Sequence, residues 1–188
     1  ELIDGLRSAT IDLAVIGFGA PPSDLHVHVI NDDVLVAAVA AGHPLATRPS
    51  LSVRALARYD LICLPRGSGI RASLDEGCAA AQVTARVALE VSNPEVIADL
   101  AARGLGVAVL PHSYARTRDD IRLVKIVRPV LRGGVGVAWR ADARLSAAAS
   151  SLLQHWRSQQ VNRSAEKSPE QPAPRRPAGR RGVEHGGD

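Results

Sequence analysis

The 188-residue sequence has no methionine and only five aromatic rings: one phenylalanine, two tyrosines and two tryptophans. With aromatics at 3% and hydrophobic residues at 46%, any core must be built from Ala, Val, Leu and Ile. That excludes aromatic cages and stacking platforms as the main recognition device. Cysteine is scarce too. Cys63 and Cys78 fit no metal-ligand spacing and no disulfide framework, so a reduced, cytoplasmic setting is expected. No apolar run reaches the roughly 20 residues that span a bilayer. Because the chain opens at Glu1 without a methionine, it reads as a piece of a longer or processed protein, and the lack of a leader is uninformative.

What charge there is comes almost wholly from arginine, the lysines being Lys125 and Lys167. Residues 1–161 carry 17 basic and 15 acidic residues, and residues 162–188 carry 6 and 4, so each part has a net charge of +2. A domain at +2 has no nucleic-acid footprint of its own. From Asn162 onward the composition changes to four Pro, four Gly and only Ala and Val as apolar residues, with Arg175-Arg176 and Arg180-Arg181 set in no helical or strand period. Such a segment cannot bury enough surface to offset its ordering entropy, and 162–188 is expected to be a disordered, solvated tail.

Upstream, short apolar runs alternate with helical patterns. Strands are expected at 11–16, 25–30, 34–41, 61–64, 87–91, 107–110, 121–126 and 135–139. Helices are expected at 53–58, at 70–81 (Ile70, Leu74, Cys78 and Ala81 on one face), at 94–103 and after Leu145. Ser92-Asn93-Pro94-Glu95 supplies capping residues with Pro in the first turn, and Gly104 lies just past the end. Strands alternating with helices, several apolar on both faces, predict an α/β fold with largely parallel sheets.

Pro65-Arg66-Gly67-Ser68-Gly69-Ile70-Arg71 is the most chemically suggestive stretch, since it follows a buried strand and opens a helix. Glycines permit close backbone approach, Ser68 supplies a hydroxyl and Arg66 and Arg71 supply charge, a set suited to a carboxylate or other small anion. The alternative is an ordinary capped turn. The loop is not a phosphate loop, because no Lys-Ser/Thr follows the glycines, and Gly104-Leu105-Gly106 precedes a strand rather than opening a helix. His26 and His28 share a strand face but have no third metal ligand nearby, and Asp32-Asp33 and Asp119-Asp120 read as solvated turns. No nucleophile–base pair is present, so the chain is expected not to be an enzyme and to need neither metal nor cofactor.

Three segments together resemble the effector-binding domain of LysR-type transcriptional regulators. These are Leu6-Arg7-Ser8-Ala9-Thr10-Ile11-Asp12-Leu13-Ala14-Val15 (with Ser8-Ala9 where that family usually has Gly), Asp32–Val36 followed by Gly42-His43-Pro44-Leu45-Ala46, and Gly104–Pro111. Val137–Arg140 and the helix after Leu145 match the family's closing strand and helix, so the resemblance spans 1–160.

The resemblance implies a two-lobed fold like that of type 2 periplasmic binding proteins, the lobes joined by two crossover strands near 34–39 and 136–139. Lobe one would comprise 1–33 with 138–161 and lobe two 34–137. A small effector, an organic acid or similar anion, would bind in the cleft. Facing it would be Arg66, Gly67, Ser68, Gly69, Ile70 and Arg71, with Ser92 and Asn93, from lobe two, and Gly17 and Phe18 from lobe one. The same resemblance implies a homodimer or tetramer in the full-length protein and DNA contact only through an N-terminal part that these residues do not include, with no membrane partner. It also implies that lobe one is incomplete at its N-terminus. The competing reading is a solute-binding protein of a transport system, which shares the fold.

Overall fold

The computed structural model describes residues 2–142 and 144–166, and the chain divides into two compact units after Leu145. In chain order the first unit holds α1 (Leu2–Arg7), β1 (Ala14–Phe18), β2 (Leu25–Ala40), β3 (Ser50–Ser52), α2 (Val53–Leu56), β4 (Leu61–Cys63) and α3 (Gly69–Ala80). It continues with β5 (Val87–Glu90), α4 (Pro94–Ala102), β6 (Val107–Pro111), α5 (His112–Ala115), β7 (Ile121–Val127) and β8 (Arg132–Arg140). The second unit is described as one helix, α6 (Ala147–Glu166). Ser146 caps α6, its Oγ accepting from the Ala149 amide at 3.2 Å. The helix runs past Asn162, where the composition changes, and residues 167–188 of the expected tail lie outside the described residues.

Strand β2 organises the first unit. Its first part, Leu25–Val34, pairs antiparallel with β8, and its second, Leu35–Ala40, pairs antiparallel with β6 and β7. The two strands expected at 25–30 and 34–41 are therefore one, and Asp32-Asp33 is not a turn. Both carboxylates have fixed partners that outweigh the turn preference of Asp. Asp32 accepts from Arg132 Nε and Nη2 at 3.0 and 2.9 Å, and Asp33 accepts from the Val34 and Ser113 amides at 2.8 and 2.7 Å. A bulge between Val29 and Asn31 absorbs the register change.

Two lobes follow from this pairing. Lobe one is the ribbon β1–β8–β2, and lobe two is the sheet in which β2 continues beside β6, then β4 and β5, with β7 and β3 on its other flank. On β2 the change of lobe falls between Val34 and Leu35. The return crossing precedes Arg132, ahead of the expected 136–139, because β8 pairs with lobe-one strands along its whole length. The Leu35 amide donates to the Leu131 carbonyl at 2.9 Å where the two crossings meet. The sheets are mixed rather than largely parallel. Parallel pairing occurs at β3–β7, β4–β5 and β4–β6, and the crossing strand β2 runs against its neighbours in both lobes.

Lobe two buries both faces of its sheet. Leu35, Ala37 and Val39 enter one core cluster while Val36 and Ala38 enter the other, and Leu61 and Cys63 divide from Ile62 in the same way. Near-continuous apolar strands are the sequence form of a sheet covered on both sides. In lobe one β1 alternates buried and exposed, and Ala14, Ile16 and Phe18 pack with Leu6 of α1, Leu25 and Ala138.

Candidate functional site

Loop 64–68 sets up the site. Strand β4 ends at Cys63, Gly67 turns the chain at φ +91°, and Ser68 caps α3 from an extended conformation. The Ser68 Oγ accepts from the Arg71 amide at 3.2 Å and donates to the Pro65 carbonyl at 2.9 Å, so one hydroxyl ties the loop to the helix start. The unpaired N–H groups at a helix start, with the positive end of its dipole, favour a negative or carbonyl oxygen there.

That helix start forms one wall of a cleft of about 260 Å³ between the lobes, near the small end of the range for small-molecule sites. Ser68, Gly69, Ile70, Leu64 and Pro111 line it from lobe two, and Gly17, Asn31, Asp33, Gly133, Gly134 and Val135 line it from lobe one and the crossing strands. Glycine is required where the lobes touch. A Cβ on Gly69 would collide with the Phe18 amide nitrogen and the Gly17 carbonyl carbon, and one on Gly17 would lie 3.1 Å from the Gly69 nitrogen. A Cβ on Gly134 would run into the Phe18 ring.

Of the residues expected at the cleft, the structure brings Gly17, Ser68, Gly69 and Ile70 together. Arg66 and Gly67 line a neighbouring groove with Leu2, Ile3, Asp4, Arg7, Val15 and Ile16. Phe18 is buried in the lobe-one core. Ser92 and Asn93 lie outside the cleft lining, where the Asn93 Oδ1 caps α4 by accepting from the Glu95 amide at 2.8 Å. Arg71 turns away: its side chain is 4% exposed, with Nε on Asp75 Oδ1 at 2.9 Å and Nη1 on Glu90 Oε1. Burial alone would favour loss of its proton, but the two carboxylates outweigh that and hold the guanidinium charged.

The cleft residues that sequence reasoning missed are Asn31, Asp33, Leu64, Pro111 and Gly133–Val135. Gly133-Gly134 was the available signal, because a glycine pair entering a strand marks close approach of another backbone. Burial pushes the Asp33 carboxyl up, but the Ser113 and Val34 amides, with His112 nearby, outweigh it and hold it below the ordinary carboxylate range. Asp33 is thus an occupied carboxylate, hydrogen-bonded from two sides. Among the described residues no group of His, Cys, Asp and Glu is placed to hold a metal, and His26 lies against Trp139 with ring centroids 5.6 Å apart.

Two α/β lobes joined by crossing strands, with a small cleft at a helix start between them, make a binding domain of the periplasmic-binding-protein-like type. The chain belongs to the LysR substrate binding domain family, whose model matches residues 1–160. It is similar to the HTH-type transcriptional regulator CbbR of Sinorhizobium medicae (strain WSM419), 30% identical over 158 residues that cover 82% of this chain and 49% of that protein. The uncharacterized HTH-type transcriptional regulator YybE of Bacillus subtilis (strain 168) is 25% identical over 154 residues, 82% of this chain and 53% of that protein. The chain therefore spans about half the length of the curated relatives it matches. Among solved structures, the regulatory domain of Synechocystis PCC6803 CcmR in complex with 2-PG aligns with TM-score 0.67 and 25% identity, covering 86% of this chain and 79% of that one. The effector binding domain of QuiR in complex with shikimate gives TM-score 0.67 at 20% identity, covering 88% and 78%, which speaks to the fold. No helix among the described residues is long and apolar enough to cross a membrane.

Proposed function

We propose that this chain is the effector-sensing domain of a LysR-type transcriptional regulator and holds a small organic acid in the cleft between its lobes. The supporting observation is that cleft, where the start of α3, capped by Ser68, faces residues of the other lobe across about 260 Å³. A carboxylate or phosphate oxygen is received by the first-turn N–H groups of α3, which the Ser68 cap holds in place, while Leu64, Ile70, Pro111 and Val135 shelter the carbon skeleton. No arginine lines the cleft, and the carboxylate that does, Asp33, has its oxygens taken up by the Val34 and Ser113 amides, so the affinity for charge comes from the backbone and helix dipole. The CcmR domain with 2-PG, aligned over most of this chain, supports the same ligand class.

In this reading the bound acid biases how the lobes close, and the closure governs DNA binding by the rest of a longer, homo-oligomeric protein in the cytoplasm. The chain senses rather than catalyses. A thermal-shift screen of 2-PG, shikimate and a panel of small organic acids against the purified chain tests the reading, followed by calorimetry. At least one acid is expected to raise the melting temperature, and Ser68→Ala, which removes the cap holding this helix start, is expected to weaken binding by about 0.5–1.5 kcal/mol. Binding that Ser68→Ala and Ile70→Asp both leave unchanged would put the site elsewhere.

A further inference from the structure

Arg71 stands out as a buried charge that the cleft does not use. Nε donates to Asp75 one turn along α3, Nη1 donates to Glu90 at the end of β5, and Nη1 lies 3.9 Å from the Cys63 sulfur at the end of β4. One planar guanidinium thus fastens the first turn of α3 to the carboxyl ends of two neighbouring parallel strands. A forked donor does this where an ammonium could not, because its donors leave in fixed, separate directions. The same turn carries Gly69 and Ile70 into the cleft lining and, through Ser68, holds loop 64–68.

We infer that Arg71 is a positioning residue: its pairing with Glu90 holds the first turn of α3 in the place from which Ser68, Gly69 and Ile70 line the cleft. The placement of the helix turn stands on the geometry alone. Its effect on a ligand rests on the reading of the cleft as the effector site. The carboxylates of Asp75 and Glu90 are 48% and 43% exposed, so water can hydrate them once Arg71 is gone. Arg71→Met therefore leaves no stranded buried charge, and the variant is expected to fold.

Amide hydrogen exchange on the whole chain tests the placement without any ligand. Arg71→Met is expected to speed exchange about tenfold at the hydrogen-bonded amides 71–74, with 107–110 of β6 and 123–126 of β7 unchanged. Arg71→Lys, which keeps charge but reaches only one carboxylate, recovers part of the protection, and Glu90→Gln falls between wild type and Arg71→Met. Unchanged exchange at 71–74, or equal acceleration in β6 and β7, would overturn the inference. Titration with 2-PG supplies a second readout. A positioning role predicts that Glu90→Gln weakens 2-PG binding, by less than the roughly tenfold loss expected of Arg71→Met. Were Arg71 itself the ligand contact, freeing it from Glu90 would leave binding unchanged or tighten it, and that result would also overturn the inference. Failure of wild type to bind 2-PG counts against the ligand reading with that probe, while the exchange arm still decides the role of Arg71.

Discussion

The two lobes of the first unit answer the same folding problem with unequal means. Lobe two packs its sheet on both faces, with Leu56, Leu61 and Leu74 fully buried on one and Ile62, Ile97 and Leu110 on the other. Lobe one rests on one buried cluster built around Leu6, Ile16 and Phe18, and Leu2 and Val15 stay more than half exposed. Charge divides as well. Residues 35–131 carry 12 basic and 8 acidic residues, a net of +4, while 1–34 with 132–145 carry 4 and 7, a net of −3. Lobe two is thus the more deeply packed frame presenting the start of α3, and lobe one, with a single smaller cluster, meets it at Gly17 and Phe18.

Core truncation should break the comparison most strongly. Leu74→Ala empties a site enclosed by both α3 and the lobe-two sheet, and it is expected to cost about 3–5 kcal/mol in chemical unfolding. Leu6→Ala, in a smaller cluster that can relax toward solvent, is expected to cost about 2–3 kcal/mol. Equal costs would mean that lobe one is packed as tightly as lobe two.

The contact between the lobes comes next. Gly69→Val places side-chain atoms where the Gly17–Phe18 backbone lies, and it is expected to destabilise by about 1–3 kcal/mol through overpacking. It should also abolish measurable acid binding in calorimetry, because the lobes cannot meet. Gly67→Ala makes the contrast: its added Cβ meets nothing, and only the positive φ is strained. If Gly69→Val bound acids as wild type does, the lobes would not need to close at that point.

The smallest effect is expected at the crossing itself. Asp33→Asn removes the charge and one of two accepting oxygens, at a cost of about 1–2 kcal/mol near neutral pH. The folded-state carboxyl titrates below its ordinary value near 3.8, so its stabilisation is fully present above that value. It is lost as pH falls through the lower folded value, and the gap between wild type and Asp33→Asn should close over that acidic window in urea melts. A gap independent of pH would show that the charge of Asp33 contributes nothing.

How much of this was legible in the sequence follows from how far each determinant reaches. The helix at 94–102 announced itself locally, through Asn93, Pro94 and a Gly104 that sits at φ +80°. The central strands of lobe two, the second part of β2 with β4 and β6, were legible because burial on both faces leaves an unbroken apolar run. The half-cleft at Ser68, Gly69 and Ile70 was legible because a capped, glycine-bearing helix start after a buried strand is a local pattern. What stayed hidden depends on distant partners. Asp32 is kept in a strand by Arg132, 100 residues away, and Arg71 is turned from the cleft by Glu90 across a strand pairing. Asp75, one turn along α3, is a local partner for Arg71, but nothing near either charge points to Arg132 or Glu90, and Gly133-Gly134 reaches the cleft only once β8 has crossed between the lobes.

The central claim is that a small acid is held between the lobes at the start of α3. The most direct measurement is amide hydrogen exchange of the chain with and without the acid giving the largest thermal shift in the screen. The account predicts new protection on both sides of the cleft at once, at amides 68–70 of lobe two and at 17–18 and 133–135 facing them. Protection confined to one lobe, or centred on α1 and the groove beside Arg66, would contradict it.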